Sequence, residues 1–344
     1  MRAFSHPDQA LHTPRFFLLR GEVRPNYEVP GRATALLRGL AAVGIVPETA
    51  TPADRAALLA VHRADYLDFL EGAAAAWARL PQAGPEMVAN VHPTPEMLAN
   101  GAQAPGSVVG QAGWFTADAA CPIGPGTWRA SLAAAGAALA AAAEAAAGRH
   151  AYALCRPPGH HAYAARAGGH CYLNNAALAV EALRRGGAAR VATLDIDSHH
   201  GNGIQGIFWD RGDVLTVSVH ADPHRYYPHF VGHASERGAG PGEGRNLNLP
   251  LPIGSGDAAW LAAVGAGLAA VHDFGAEALV VSLGFDASEH EPLAALCVTA
   301  DGFARAGAMI AGQRLPAAII QEGGYGLDHL GPLLARFLTG WNEA

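Results

Sequence analysis

Residues 194–203 read LDIDSHHGNG. An apolar run, VATL at residues 191–194, climbs directly into two aspartates, two histidines and two glycines. Ionised groups are expensive to bury without partners, so charge at the end of a core strand implies a task for it. In an extended segment, residues i and i+2 face the same side. Asp195, Asp197 and His199 therefore share one side, and Ser198 and His200 the other. A carboxylate and an imidazole so placed can chelate a divalent metal, or form a plain hydrogen-bonded pair that steadies a turn.

Outward from this stretch, similar apolar runs recur at residues 151–155 (AYALC), 191–196 (VATLDI), 214–219 (VLTVSV), 278–283 (ALVVSL) and 317–321 (AAIIQ). They read as buried strands. Periodic helical stretches, such as 175–185 and 257–274, lie between several of them. Alternating strands and helices with near-continuous apolar strands predict a single three-layer α/β domain over residues 1–344. Its central, mostly parallel sheet would be covered by helices on both faces. Four of the strands run into polar or glycine-rich clusters: CRPPGHH, DIDSHHGNG, SLGFDAS and IIQEGGYG. Sites in parallel α/β sheets form at the carboxyl ends of strands, so these four segments can converge on one crevice. Residues 81–126 are rich in Pro, Gly and Asn with little periodicity, and read as an inserted excursion, either a loop over the site or a subunit contact. No internal repeat is present.

Composition narrows the classes. The 344 residues are 50% hydrophobic and 15% charged, enough for a large core. The formal net charge is −7 and no basic run occurs, which argues against nucleic-acid binding and suits a cationic or neutral small molecule. The four cysteines form no CxxC pair and the N-terminus lacks an apolar signal region, so a reducing cytoplasm is expected. The alanine-rich run at 131–148 is too weakly hydrophobic to span a bilayer and reads as a helix of small residues packed on the sheet. There is no lysine, which excludes Schiff-base catalysis and a lysine-held pyridoxal cofactor.

Three further candidates join the opening stretch. Asp286 in SLGFDAS follows a buried strand, as Asp197 does. Alone it would be a helix cap; with Asp197 and His199 it completes a two-carboxylate, one-imidazole set with room for a fourth ligand. His160 and His161 are adjacent behind a proline-rich turn and can serve as acid–base groups near neutral pH, or lie idle on the surface. Tyr325 in EGGYG follows two glycines, which allow a phenol to approach a ligand closely and steady a developing oxyanion.

With these segments in view, the chain resembles the histone deacetylase superfamily, within the arginase/deacetylase fold. The matching segments, in order, are RPPGHHA, GGHCYLNNAA, DIDSHHGNG, VSVH, GEGRNLNLPL, SLGFDAS and EGGYG. GEVRPNYEVPGRA, PGTWRASLAAA and the 81–126 insert are similar to bacterial acetylpolyamine amidohydrolases, which extends the resemblance over nearly the whole chain. The resemblance implies one zinc ion per chain held by Asp197, His199 and Asp286. It implies a structural potassium on Asp195, Ser218, the Val219 carbonyl and carbonyls of the DIDSH segment. His161 would be the principal general base and acid, with His160 paired to Asp195 and His161 to Asn202. Tyr325 would polarise the substrate carbonyl, and Gly169, His170 and Tyr227 would line the substrate tunnel.

The implied activity is hydrolysis of acetyl or other short acyl groups from N-acylated amines, acetylpolyamines first, by a cytoplasmic homo-oligomer, a dimer joined through residues 81–126. Departures from the pattern are informative. Asn202 stands where many members have aspartate, so His161 should be more readily neutral. His170 replaces Phe or Tyr. Ala120 falls near the position of a glutamate of the polyamine enzymes, with Asp118 close by, and Leu293 offers no carboxylate. Three rivals stand beside this reading: a protein lysine deacetylase, a binuclear manganese ureohydrolase, and a non-catalytic polyamine-binding protein. The ureohydrolase needs a DxHxD pattern, and here HGNG follows His199.

Overall fold

The computed structural model describes residues 1–293 and 295–344. Among the described residues ten strands run in chain order: β1 Arg2–Ser5, β2 Phe16–Leu19, β3 Glu22–Pro25, β4 Glu48–Thr49, β5 Ala151–Ala153, β6 Val191–Asp195, β7 Val214–Ala221, β8 Asn246–Leu251, β9 Ala278–Leu283 and β10 Ala317–Gln321. The helices are α1 Gly31–Ala42, α2 Arg55–Leu58, α3 Ala64–Trp77, α4 Pro95–Ala99, α5 Val108–Trp114, α6 Thr127–Ala146, α7 Asn175–Arg185, α8 Asn202–Phe208, α9 Asp257–Phe274, α10 Ala300–Ala311 and α11 Leu327–Asn342.

Eight strands form one parallel sheet in the order β4-β1-β5-β10-β9-β6-β7-β8, and β2 and β3 make a separate antiparallel hairpin. Every residue of β5, β6, β7, β9 and β10 is buried, because helices cover both faces and leave no side for water. One core joins the sheet to α3, α5, α6 and α7, through residues such as Leu67, Ala112, Ala134 and Leu178. The other joins it to α1, α9, α10 and α11, through Leu36, Trp260, Phe303 and Leu334. This is the expected α/β architecture. The parallel order required long crossovers, and these carry the covering helices.

Small residues set the helix spacing. The alanine-rich run forms α6, whose Gly136 lies so close to the chain that a Cβ would sit 2.1 Å from the Thr51 carbonyl oxygen. Among the described residues, no helix is long and apolar enough to cross a membrane. Strands β1, β4 and β8 and the hairpin lie outside the runs read as strands above, because they are short or carry polar residues at a sheet edge. The expected strand at 151–155 ends at Ala153. The 81–126 insert contains α4 and α5, started by the side chains of Thr94 and Ser107, so it is not wholly irregular. Its last part runs beside the 167–170 segment, with the Ala117 amide donating to the Ala167 carbonyl at 2.7 Å.

Candidate active site and metal centre

The carboxyl ends of β5, β10, β9, β6 and β7, five neighbours in the sheet, supply the site. The loop after β6 carries Asp197 and His199, and the loop after β9 carries Asp286. One ligand atom of each lies within 4.8 Å of the others. His199 Nδ1 is 3.1 Å from Asp197 Oδ1 and 2.9 Å from Asp286 Oδ2. The remaining oxygens are held by main-chain amides: Gly323 N–H donates to Asp197 Oδ2 at 2.9 Å, and Ser198 N–H to Asp286 Oδ1 at 2.8 Å. Both aspartates are fully buried.

The set fits a metal ion. Two buried carboxylates facing one imidazole form a compact anionic cradle that calls for a cation. Burial and the charge of Asp197 push the Asp286 carboxyl up. Burial opposes ionisation of Asp197 as well, but the imidazoles of His160 and His199 hold its carboxyl well below the usual range. Glycine keeps the cradle open: a Cβ on Gly323 would lie 2.3 Å from Asp286 Oδ2 and 2.6 Å from Asp197 Oδ2. A second group, His160, Cys171 and Glu322, also lies within 4.8 Å. There burial holds the Cys171 thiol well above its ordinary pKa, which disfavours the thiolate a metal needs.

His160 and His161 follow β5 with ring centroids 4.0 Å apart. His160 Nδ1–H donates to Asp195 Oδ2 at 2.9 Å, and His161 Nδ1–H to Asn202 Oδ1 at 2.6 Å. Asn202 is itself oriented, since its Nδ2 donates to the Tyr163 hydroxyl at 2.8 Å. The two imidazoles are driven apart electrostatically. Burial disfavours a charged His160, but Asp195 and Asp197 raise it to about 10. Burial, reinforced by His160 and His199, holds His161 well below 6.5. The expected neutral His161 is thus explained chiefly by burial, with Asn202 adding no opposing charge.

Gly169, His170 and Tyr227 stand around these groups. Gly169 has φ +51°, and a Cβ there would lie 2.4 Å from His161 Cδ2 and 2.9 Å from the Tyr227 hydroxyl, so only glycine fits. Tyr227 meets His161 edge-on at 4.9 Å, and His170 lies 5.8 Å from Tyr325. Burial lowers His170 to about 4, so it is a neutral polar wall. Asp118, from the end of the insert, accepts from the Tyr227 hydroxyl at 2.5 Å and from Gly169 N–H at 3.1 Å, and is half-buried. Ser218 lies opposite Asp195 in the sheet, beside Val219, and its hydroxyl is 2.8 Å from His220 Nδ1 and 3.2 Å from His200 Nδ1. A void of about 10 Å³ borders Asp195, His200 and Ser218.

A model of the histone deacetylase domain matches residues 26–340. The chain belongs to the histone deacetylase family. It is 46% identical to an acetylpolyamine amidohydrolase of Burkholderia pseudomallei, covering 99% of this chain and 98% of that one. It is 41% identical to acetylpolyamine amidohydrolase 1 of Pseudomonas aeruginosa, covering 98% and 97%. A crystal structure of the acetylpolyamine aminohydrolase from Burkholderia pseudomallei superposes with a TM-score of 0.95 at 45% identity, covering 99% of this chain and 98% of that one. This histone deacetylase family member is accordingly a deacetylase-type hydrolase in a fold shared along its whole length.

Several groups at this candidate site carry no signal in the sequence. Tyr226 stacks on His199 at 4.6 Å. Arg32, fully buried, donates from Nε to the Gly324 carbonyl and from Nη2 to the Glu322 carbonyl, both at 2.6 Å, and from Nη1 to Glu28 Oε1 at 2.9 Å. Its guanidinium carbon lies 4.8 Å from the Tyr325 ring centroid. Glu322 and Glu291 are buried, and burial lifts their carboxyls to about 7 and about 8. Arg32 and Glu322 lie within segments that resemble the family, PGRA and EGGYG, but neither residue type signals its partner until the fold brings the strand ends together.

Proposed function

We propose that this chain is a zinc-dependent amidohydrolase that removes acetyl or other short acyl groups from N-acylated amines, acetylpolyamines foremost. The observation that carries the reading is the meeting of the Asp197–His199–Asp286 cradle with two imidazoles of opposite protonation preference at one crevice. One zinc ion would be held by those three residues and would supply Lewis acidity toward the amide carbonyl and the attacking water.

The chain's own residues do the rest. His161, neutral and with Nδ1–H committed to Asn202, takes a proton from the attacking water at Nε2 as the hydroxyl adds to the acyl carbon. His160 stays cationic against Asp195 and lends positive charge to the crevice. The Tyr325 hydroxyl donates to the developing oxyanion, and the Arg32 guanidinium braces its ring. His161 returns the proton to the departing nitrogen as the carbon–nitrogen bond breaks, releasing a carboxylate and a free amine. Gly169, His170 and Tyr227 guide the acyl-amine chain. Asp195, Ser218 and the Val219 carbonyl would hold a structural potassium.

An amine substrate is supported by the net charge of −7, by the half-buried Asp118 carboxylate on the wall, and by the named activity of the relatives. Free cysteines at all four positions suit a reducing cytoplasm. The exposed Val91, Met97 and Leu98 of the insert suit a dimer contact. The deciding experiment assays zinc-loaded protein on acetylated diamines and polyamines beside an acetyl-lysine peptide. Higher kcat/KM on the small amines is expected. Preference for the peptide would make it a protein lysine deacetylase, and polyamine binding without turnover would sink the hydrolase reading.

A further inference from the structure

Two buried carboxylates outside the metal cradle share an arrangement that the reaction above does not use. Glu322 Oε2 accepts two successive main-chain amides, Gly159 N–H at 2.7 Å and His160 N–H at 3.1 Å. Glu291 Oε2 does the same for Tyr325 N–H at 3.0 Å and Gly326 N–H at 3.3 Å. In each case the second oxygen, Oε1, is buried with no hydrogen-bond partner among the described residues. A half-satisfied buried carboxylate is costly, and a fold retains one where its bonded oxygen does something an apolar side chain cannot.

The connectivity says what that is. Glu291 lies in the loop after β9 and grips the loop after β10, which carries Tyr325. Glu322 lies at the start of that same loop and grips the loop after β5, which carries the tandem histidines. Arg32 holds the carbonyls of Glu322 and Gly324 between the two grips. Asp286, on the loop after β9, is thus tied through two carboxylates in series to Tyr325 and then to His160. The β9–β10 ladder continues to one bond between the two loops, Phe285 N–H to the Gly323 carbonyl at 3.1 Å, and past it side chains help to fix their mutual position.

We propose that Glu291 and Glu322 are positioning residues that set the phenol and the tandem imidazoles relative to the metal cradle, Glu291 acting on Tyr325 and Glu322 on His160 and His161. The proposal rests on the hydrolase reading for its kinetic consequences and on geometry alone for its spectroscopic ones.

The test uses the zinc-loaded full chain with Glu322→Asp, Glu322→Gln and Glu291→Asp. Shortening the side chain by one methylene withdraws the grip but keeps a carboxyl group, so each Asp variant should lose about 10- to 100-fold in kcat with KM and zinc content close to wild type. Glu322→Gln keeps an acceptor oxygen in place. It should retain kcat within a few-fold while its Tm falls, because the new amide N–H groups meet no acceptor. Independently of turnover, the downfield imidazole N–H proton resonance of the His160–Asp195 bond should move in Glu322→Asp and stay in Glu291→Asp. Unchanged kcat in both Asp variants, a kcat loss that tracks zinc loss, or an imidazole resonance indifferent to Glu322→Asp would overturn the assignment. If wild type turned over no acylated amine, the hydrolase reading would fall while the resonance still decided the positioning role.

Discussion

The floor of the crevice and the wall beside it begin at adjacent residues and are built on opposite principles. His160 belongs to the floor, with Asp195, Asp197, His199 and Asp286, where each charge has a fixed partner of opposite sign or a main-chain amide. His161 belongs to the wall, with Asn202, Gly169, His170 and Tyr227, where neutral polar groups and close packing prevail. The result is one imidazole raised to about 10 and its neighbour held well below 6.5. Residue type and burial are the same; the partner's charge differs. A low-dielectric site amplifies that difference into two protonation preferences.

The contrast can be broken or sharpened by three substitutions. The largest effect is expected at the phenol beside the floor: Tyr325→Phe should keep the zinc yet lower kcat about 100- to 1000-fold, the usual loss for one oxyanion donor. Metal analysis with steady-state kinetics checks this, and near-full activity would remove Tyr325 from the chemistry.

The next makes the wall resemble the floor. In Asn202→Asp a carboxylate faces His161 and stabilises its imidazolium, so its pKa rises. A base with a higher pKa is neutral over a narrower range, and the acid limb of kcat/KM should move to higher pH by about one unit. A pH–rate profile that does not move would mean that Asn202 does not tune His161. The smallest effect is expected from Asp118→Asn. It keeps an acceptor for the Tyr227 hydroxyl but removes one half-buried charge. KM for a cationic acylated amine should rise about fivefold, the equivalent of ~1 kcal/mol, with little change for a neutral one. Equal effects on both substrates would make Asp118 a prop for Tyr227 only.

The two regions also differ in how readable they are. The floor comes from charged residues that interrupt apolar strands, and a charge at the end of a buried strand stands out in one dimension. Asp197, His199 and Asp286 could be named for that reason. The strands themselves were readable because burial on both faces erases any polar alternation; 278–283 and 317–321 form over the residues expected, as do the helices at 175–185 and 257–274. The edge strands β4 and β8, and the short β1 beside β4, carry no such run, so only pairing with a neighbour reveals them. The wall needs Asp118 and Gly169, 51 residues apart, to meet at Tyr227, and neither segment has a periodicity that points to the other.

What this sequence determined by itself was the alternation of buried strands and covering helices, and the chemistry available at the strand ends. Hydrophobic pattern and residue type are local properties, written position by position along the chain. What only the tertiary structure decided was which partners the remaining groups received: Asp118 for Tyr227, the Glu322 and Gly324 carbonyls for Arg32, main-chain amides for Glu291 and Glu322. Those partners set charge, orientation and therefore role. They depend on the order in which parallel strands lie side by side, which no stretch of the chain encodes alone.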